Sequence, residues 1–301
     1  CYFCLLARTR QLQGDAKTSI EQFERALQNI EPRYDLSLYR QALDRLWHLY
    51  YDHQQYAEAF EIKAAGRTDD IEALTERLSQ PRYTLVVMHG QSGVGKSSIL
   101  HAGLVPRLRS LTSEGRTTLP VIIGSYKAWD KNLYQELRPF TGEVNAEVAE
   151  FNVQPSAYTP NGLVDSLTKI THETYQQVIL IFDQFEDFFY QHPKFSHRQE
   201  LYRFLRDCLN LPYVKVVLSL REDFLHYLLE WDRNADLSIV DNDILSKEIR
   251  YYLGNFSPKA AENLIEYLTK SAEFALEPEV ITALVDELSE EPGEVRPIEL
   301  Q

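Results

Sequence analysis

One short segment of the sequence has the residue types and the spacing of a phosphate-binding loop. Residues 90–97 read GQSGVGKS, which satisfies the pattern G-x-x-x-x-G-K-[ST] at every defined position. Glycines let the backbone turn its N–H groups toward a phosphate without Cβ clashes, and the positive end of the following helix adds to the attraction. The lysine can reach the β- and γ-phosphates, and the serine after it can ligate Mg²⁺. The sequence therefore predicts a nucleotide site formed by Gly90, Ser92, Gly93, Val94, Gly95, Lys96, Ser97 and Ser98.

A nucleotide site of this kind also requires a carboxylate at the end of a second buried strand. Asp183 ends the run VILIFD, and we expect it to hold Mg²⁺ through water, with Ser97 as the other protein ligand. Glu186 and Asp187 follow closely in the chain, where an acidic group could orient or deprotonate an attacking water. The alternative for Glu186 is a solvated carboxylate at the start of a helix.

A cation follows another apolar run. Arg221 comes directly after VKVVLSL, and the carboxyl ends of parallel strands meet at one edge of a sheet. We therefore expect Arg221 beside the γ-phosphate, where its charge would sense whether that phosphate is present. The alternative is a structural salt bridge to Glu222 or Asp223, the next two residues.

These side chains need a framework that brings strand ends together. The apolar and β-branched runs YTLVVMH, LPVIIGSY, QVILIFD and VKVVLSL are typical of strands covered on both faces. Segments with helical periodicity, such as ELYRFLRDCLN, separate them. Alternating strands and helices predict an α/β fold, with a P-loop NTPase core over residues 64–225 in which helices sandwich a parallel sheet.

Helical segments flank this core. Residues 1–63 predict helices only, and GDAKTSIEQFERALQNIEP and LWHLYYDHQQYAEAFEI have the small and aromatic residues of degenerate tetratricopeptide-like repeats. A plain helical hairpin is the competing interpretation. Residues 226–301 predict a C-terminal helical subdomain, in which Ser257 and Pro258 form a helix start. The opening CYFCLLARTR resembles the middle of a helix, so we expect the chain to be part of a longer protein.

Composition narrows the classes of partner. The formal net charge of −14 opposes a nucleic-acid-binding surface, which needs clustered lysine and arginine. No apolar run approaches the roughly 18 residues that a membrane helix needs, so we expect no membrane association. The cysteines, Cys1, Cys4 and Cys208, lack the second pair of a zinc site and suit a reducing compartment. We therefore expect a cytoplasmic protein.

Three segments together point to one family. GQSGVGKSSILHAGLVPRLR, IFDQFEDFF and LSLREDF resemble the STAND class of signal-transduction P-loop ATPases, and most closely its novel STAND NTPase 1 domain. The upstream AGRTDDIEALTERL is similar to that family's linker, and VRPIELQ resembles the segment ahead of its winged-helix domain. The resemblance covers residues 60–301. Val295 stands where the related Gly-x-Pro motif has glycine, which leaves the role of Pro297 open.

This resemblance implies an ATP-driven switch that hydrolyses ATP slowly. ADP would hold a closed monomer, and ATP together with a signal would open it for assembly into a homo-oligomer. The resemblance also implies adenine as the base, which no motif in the sequence identifies, and ATP/ADP and Mg²⁺ as ligands. An unknown protein signal or effector would act through the helical repeats.

Two other classes of function stay open. A motor or turnover enzyme of the AAA+ type would use the same loop, although Gln184 follows Asp183 where many such ATPases carry glutamate. A repeat scaffold would use the nucleotide only to stabilise its fold. The rate of turnover separates the first class from a switch, and removal of the Lys96 side chain separates the second.

Overall fold

The computed structural model describes residues 16–29, 66–141, 158–234, 243–271, 276–290 and 293–297. The chain divides into two compact units. The larger comprises Asp69–Leu100 and Arg107–Gly254, and the smaller comprises Cys1–Thr68, His101–Pro106 and Asn255–Gln301. The second predicted repeat helix, at residues 46–62, lies outside the described residues, as do Cys1 and Cys4.

The larger unit is built on a sheet that has six strands within the described residues. These are β1 (Leu85–Gly90), β2 (Thr112–Ser113), β3 (Arg116–Ile123), β4 (Gln176–Phe182), β5 (Val214–Arg221) and β6 (Arg250–Tyr252). They lie in the order β2-β3-β4-β5-β1-β6, and every neighbouring pair is parallel except β2 with β3. The long parallel strands coincide with the apolar runs of the sequence, so the predicted α/β class is confirmed.

Helices connect these strands and continue into the smaller unit. The α-helices are α1 (Ala16–Asn29), α2 (Thr68–Ser79), α3 (Lys96–Ser98), α4 (Val105–Arg109), α5 (Trp129–Leu137), α6 (Pro160–Glu173), α7 (Glu186–Gln191), α8 (Phe195–Leu209), α9 (Leu225–Asn234), α10 (Pro258–Ser271) and α11 (Pro278–Leu288). A stretch of π-helix, Ile99–Leu104, separates α3 from α4. Across the described segments, no helix has the length and apolar character that crossing a bilayer requires.

The main hydrophobic core lies on one face of the sheet. Val87, Leu180 and Val216 point into it from three neighbouring strands and are fully buried. α6 packs on β4, and α8 packs on both α6 and β5. Successive side chains of a strand point to opposite faces, and Ile179 and Val217 on the other face are also fully buried. The apolar runs are therefore continuous because both faces of the sheet are covered.

β6 extends the sheet beyond residue 225, within the segment predicted to be helical. Its three residues, RYY, are too few to show a strand period in the sequence. α2 is attached to this edge, because the Nη1 of Arg77 donates to the carbonyl oxygens of Glu248 and Arg250 at 2.9 and 3.0 Å. The hydroxyl of Tyr251 donates to Asp70 of α2 at 2.6 Å. The boundary between the predicted segments 64–225 and 226–301 stays a prediction.

The smaller unit has a separate small core. Phe256, Leu264, Val285 and Val295 are buried against one another, and α10 packs on α11. The short antiparallel strands β7 (Ser289–Glu290) and β8 (Glu294–Val295) follow α11. The predicted start of α10 is confirmed, because the Ala260 N–H donates to the Ser257 hydroxyl at 3.2 Å.

α1 contains the first of the two predicted repeat helices. Ser19, Phe23 and Ala26, the small and aromatic residues that support the repeat assignment in this helix, are all buried. Burial at this helical spacing fits a helix that packs along one face. A single described helix fits a repeat and a plain hairpin equally well, so the repeat stays a prediction.

Gly90, at the end of β1, allows a close approach of two backbone segments. A Cβ added at Gly90 would lie 2.2 Å from the carbonyl oxygen of Leu253, whereas one at Gly124 would meet no atom within 4 Å. The Leu253 N–H donates to the carbonyl oxygen of His89 at 2.8 Å. The Leu253 backbone therefore cannot move aside without losing a hydrogen bond.

We expect Gly90→Ala to lower the free energy of unfolding by about 1–3 kcal/mol, because the added methyl group displaces backbone atoms. Gly124→Ala is the matched control and should change it by less than about 1 kcal/mol. Urea denaturation followed by circular dichroism measures both variants. Equal midpoints for the two variants would contradict the close approach at Gly90.

Candidate functional site

The register of the parallel strands brings the predicted site residues to one edge of the sheet. Gly90, the last residue of β1, is paired with Arg221, the last residue of β5. Phe182, the last residue of β4, is paired with Leu218 of β5, and Asp183 follows it directly. The glycine-rich loop, the aspartate and the arginine therefore emerge from three adjacent strands at their carboxyl ends, where ligands bind in open α/β sheets.

The loop after β1 has the backbone conformation that its glycines predict. Gly93 and Gly95 have φ values of 84° and 90°, in the left-handed region that side-chain-bearing residues rarely adopt. Ser92 and Gly93 are exposed, whereas Val94 is buried. Val94 anchors the loop through its side chain, so any contact of Val94 with a phosphate comes from its backbone.

Lys96 folds back over this loop. Its Nζ donates to the carbonyl oxygens of Gly90 and Gln91 at 3.0 and 2.8 Å. Burial lowers the pKa of Lys96, and the negative charges of Glu186 and Asp183 oppose that shift, while Arg221 adds to it. The ammonium group thus lies in the field of the acidic residues that the sequence assigns to the same site.

Asp183 is held firmly at the end of β4. Its backbone N–H donates to the Ile123 carbonyl oxygen at 2.9 Å, and its own carbonyl oxygen accepts from the Tyr126 hydroxyl at 2.6 Å. Its Oδ1 accepts from the Gln184 N–H at 2.9 Å. Tyr126, which sequence reasoning missed, is fully buried, and burial raises its pKa well above the usual range. The tyrosine therefore acts as a neutral donor that fixes the backbone of the aspartate.

A sharp turn then leads from β4 into α7. Gln184 has a φ of 50° and an exposed side chain, and the next residue, Phe185, donates its N–H to the Ser219 carbonyl oxygen at 2.7 Å. This turn leaves the Gln184 amide in solvent. The chain returns toward β5 at Glu186, so Glu186 is the acidic residue that the turn brings back to the sheet edge.

Glu186 is buried, with 9% of its surface exposed. Its Oε2 accepts a hydrogen bond from the backbone N–H of Arg221 at 3.2 Å. Burial raises the pKa of Glu186, and the backbone N–H groups and Lys96 partly offset that rise. The alternative of a solvated carboxylate does not fit this burial. Asp187, the next residue, is half-buried, and its backbone N–H donates to the Gln184 carbonyl oxygen at 2.9 Å.

Arg221 forms a salt bridge with Asp223. Nε donates to Oδ1 at 3.1 Å and Nη2 to Oδ2 at 2.8 Å. The two side chains are 39% and 53% exposed, and an ion pair this exposed contributes less than about 1 kcal/mol. The salt bridge expected from the sequence as the alternative role of Arg221 is thus present, and its partner is Asp223 rather than Glu222. Its small contribution means that a phosphate could replace Asp223 at little cost.

Two more polar side chains lie near this edge and were not singled out from the sequence. The Nδ1 of His89 and the Oγ of Ser219 are buried and have no hydrogen-bond partner within the described residues. Burial lowers the pKa of His89, whose ring lies 5.4 Å from the ring of Tyr252. Both residues come just before the ends of β1 and β5. Polar residues inside otherwise apolar strands were the signal that could have identified them.

The residues present fit a magnesium–nucleotide ligand. Ser97 lies half-buried beside Lys96 at the start of the helical segment that follows the loop, and Asp183 ends β4. The described segments contain no group of three or more His, Cys, Asp and Glu side chains arranged to hold a metal. Mg²⁺ is commonly held by one or two protein ligands together with water and substrate phosphates. Ser97 and Asp183 would supply the protein's share.

Two solved structures with a similar fold are a Walker-type ATPase and a protein in its ADP form. A Walker-type ATPase of Pyrococcus abyssi aligns with a TM-score of 0.50 and 18% identity, over 75% of this chain and 64% of that one. The ORC2 protein of Aeropyrum pernix in its ADP form aligns with a TM-score of 0.52 and 13% identity, over 78% of this chain and 60% of that one. At these identities the likeness shows the fold alone. The present chain spans about three fifths of the length of these proteins.

The family is shown by sequence. No curated protein sequence matches the chain, but the family model described as Novel STAND NTPase 1 matches residues 51–297. That range includes the glycine-rich loop, Asp183, Glu186 and Arg221, which the fold brings to one edge of its sheet. The chain therefore belongs to the novel STAND NTPase 1 family of P-loop ATPases.

Proposed function

We propose that the chain is the ATP-dependent switch of a signal-transduction ATPase. It binds ATP with Mg²⁺, hydrolyses ATP slowly, and couples the ATP or ADP state to a conformational change and to assembly. The observation that carries the proposal is the hydrogen bond between the Glu186 carboxylate and the Arg221 backbone. It ties the acidic residue proposed for hydrolysis to the residue proposed to sense the γ-phosphate.

Binding depends on the glycine-rich loop and on Lys96. The loop offers backbone N–H groups, and Lys96 exchanges the carbonyl oxygens of Gly90 and Gln91 for phosphate oxygens. This exchange is favourable because a carbonyl dipole is a weaker partner for an ammonium group than a charged oxygen is. Mg²⁺, held through Ser97 and Asp183, would neutralise charge on the phosphates.

Glu186 is the group proposed to orient the attacking water and to accept its proton. Burial raises its pKa, and a carboxylate with a raised pKa is a stronger base than an exposed one. The Arg221 N–H holds its Oε2 in place. The exposed Gln184 amide can position water but cannot accept its proton, so the general base is assigned to Glu186.

The response to the γ-phosphate begins at Arg221. To reach that phosphate, its guanidinium group leaves Asp223, which lies in the short 3₁₀ turn Glu222–Phe224. Phe224 stacks on Phe189 of α7 at 6.2 Å between ring centroids, and Tyr227 of α9 stacks on Phe189 at 4.6 Å. We infer that a change at the Arg221–Asp223 pair reaches α7 and α9 through these packed rings. A switch requires two conformations with different affinities for ATP and ADP. Here they would be the one with Arg221 paired to Asp223 and the one with Arg221 at the γ-phosphate.

The proposal also includes protein partners. An unknown protein signal or effector would act through the N-terminal helical segment, and ATP would promote a homo-oligomer in the cytoplasm. An AAA+-type motor or turnover enzyme is the second candidate, because a Walker-type ATPase shares the fold. Sustained turnover near the typical enzyme value of about 10 s⁻¹ would favour that candidate.

Lys96→Ala should weaken the binding of ATP and of ADP by at least about tenfold, because it removes a charge-assisted partner of the phosphates. Titration with a fluorescent ATP analogue measures binding, and light scattering measures ATP-dependent assembly. Lys194→Ala, which removes an exposed lysine, is the matched control and should leave both unchanged. Survival of both binding and assembly in Lys96→Ala would reject the switch and favour a scaffold.

Glu186→Gln should retain ATP but reduce the hydrolysis rate by about 10²–10⁴-fold, the contribution of a general base. Because burial raises the pKa of Glu186, wild-type hydrolysis should begin to fall at a higher pH on acidification than an exposed glutamate would cause. Phosphate release measured against pH tests both effects. Asp187→Asn is the control and should hydrolyse ATP normally. A rate loss in Asp187→Asn alone would move the role to Asp187.

Arg221→Ala and Asp223→Ala should change the preference for ATP over ADP in opposite directions. The first removes the group that meets the γ-phosphate, so the ATP/ADP affinity ratio should fall by about fivefold or more, while ADP binding changes little. The second releases Arg221 from its salt bridge, so the ratio should rise. Calorimetric titration with both nucleotides measures the ratio. Equal losses of ATP and ADP affinity in Arg221→Ala would reduce Arg221 to a structural ion pair.

A further inference from the structure

A second cavity lies at the opposite edge of the sheet, where the parallel strands begin. Its volume is about 360 Å³. Thr84, Gln177 and Lys215 line it, at the starts of the neighbouring strands β1, β4 and β5. The strand register and the alternation of side chains place all three on the sheet face away from the main core. Three polar side chains thus share one small surface.

Lys215 is the charged member of this group. It is 5% exposed, and its Nζ donates to the carbonyl oxygen of Gln80. Within the described part of the chain it forms no ion pair, although Glu114 also lines the cavity. Burial lowers the pKa of Lys215 to about 8, and the charge of Glu114 opposes that shift. A buried ammonium group without a salt bridge is costly, and a bound anion would offset that cost.

Thr84 and Gln177 are the neutral polar members of this group. Gln177 is 4% exposed and lines the cavity. The Oγ1 of Thr84 is buried and has no hydrogen-bond partner among those residues. Buried polar groups are nearly always hydrogen-bonded. One unsatisfied hydroxyl and a buried amide beside an ammonium group without a salt bridge therefore indicate a ligand with several hydrogen-bonding atoms.

Part of the remaining lining is apolar, although Ser79, Ser113 and Asn210 also contribute polar groups. Leu209, Leu211 and Pro212 line the cavity beside these polar groups. Tyr213 has a φ of 63°, in the left-handed region, and the guanidinium carbon of Arg116 lies 3.6 Å from the centre of its ring. A tyrosine in this conformation needs support from its surroundings, and the stacked arginine provides it. The apolar wall is thus built before a ligand arrives.

We propose that this cavity binds a small monocarboxylate with an apolar body. The carboxylate pairs with the Lys215 ammonium group and accepts hydrogen bonds from Gln177 and Thr84. The apolar body lies against the leucine and proline wall. Because the Glu114 carboxylate also lines the cavity, a ligand with one negative charge fits better than a phosphate dianion. The volume is within the range of small-molecule pockets, which are mostly apolar with a few polar groups.

Benzoate and benzamide are the probes, because they share a shape and only benzoate carries a charge. The full chain should bind benzoate at least about tenfold more tightly than benzamide in calorimetric titration, since a charged partner contributes more than a neutral one. Lys215→Met should lose that preference. Lys194→Met, which changes an exposed lysine, should keep it. Lys96→Ala should also bind benzoate normally, because the two cavities are at opposite edges of the sheet.

Equal binding of benzoate and benzamide by the wild-type chain would overturn the proposal and requires no variant. Undiminished benzoate binding by Lys215→Met would overturn it as well. Inorganic phosphate that binds to this cavity more tightly than benzoate would refute the assignment to a monocarboxylate. If Lys215→Met does not fold, Gln177→Leu replaces it and should weaken benzoate binding by several-fold, because a hydrogen-bond donor is lost. Unchanged binding there would count against the site.

Discussion

The parallel pairing of β1 with β5 sets the position of the glycine-rich loop relative to Arg221 in the proposed nucleotide site. It places Gly90 opposite Arg221, and β5 in turn holds the turn after β4 through the Ser219 carbonyl oxygen. Both faces of these strands are buried, so a shift of one residue would exchange the side chains packed on the two faces and disrupt the packing of both. The geometry at the strand ends is therefore protected by the core and not by the loops themselves.

The same strand pairing places opposite charges close together at the carboxyl ends of the strands. Lys96 and Arg221 carry positive charge into a protein whose net charge is −14, and Asp183, Glu186 and Asp223 face them from the adjacent turns. Each cation has a modest partner, either carbonyl oxygens or an exposed carboxylate. A polyphosphate is a stronger partner for both. In the proposed binding mode, both cations would exchange partners without exposing bare charge, which keeps the cost of binding low.

The sequence predicted the parts of the molecule that depend on local pattern. The glycine-rich loop and Asp183 follow from apolar runs and glycine spacing, and the described fold places them at one sheet edge. β6 was not predicted, because three residues are too few to show the alternation of a strand. The choice of Asp223 over Glu222 depends on the 3₁₀ turn that contains both, and the burial of Glu186 depends on a left-handed residue at Gln184. The burial of Lys215 could not be predicted either, because it depends on the segments that cover the start of β5.

The three glycines of the loop are needed for two different stereochemical reasons. Gly93 and Gly95 have positive φ values, and nothing lies within 4 Å of a Cβ added at Gly95. Gly95 is therefore required for its handedness, and an amino acid of opposite chirality would fit there. Gly90 is not in the left-handed region, and its restriction comes from the Leu253 carbonyl oxygen. Glycine is thus required at Gly95 for its backbone angle and at Gly90 because no space is left for a side chain.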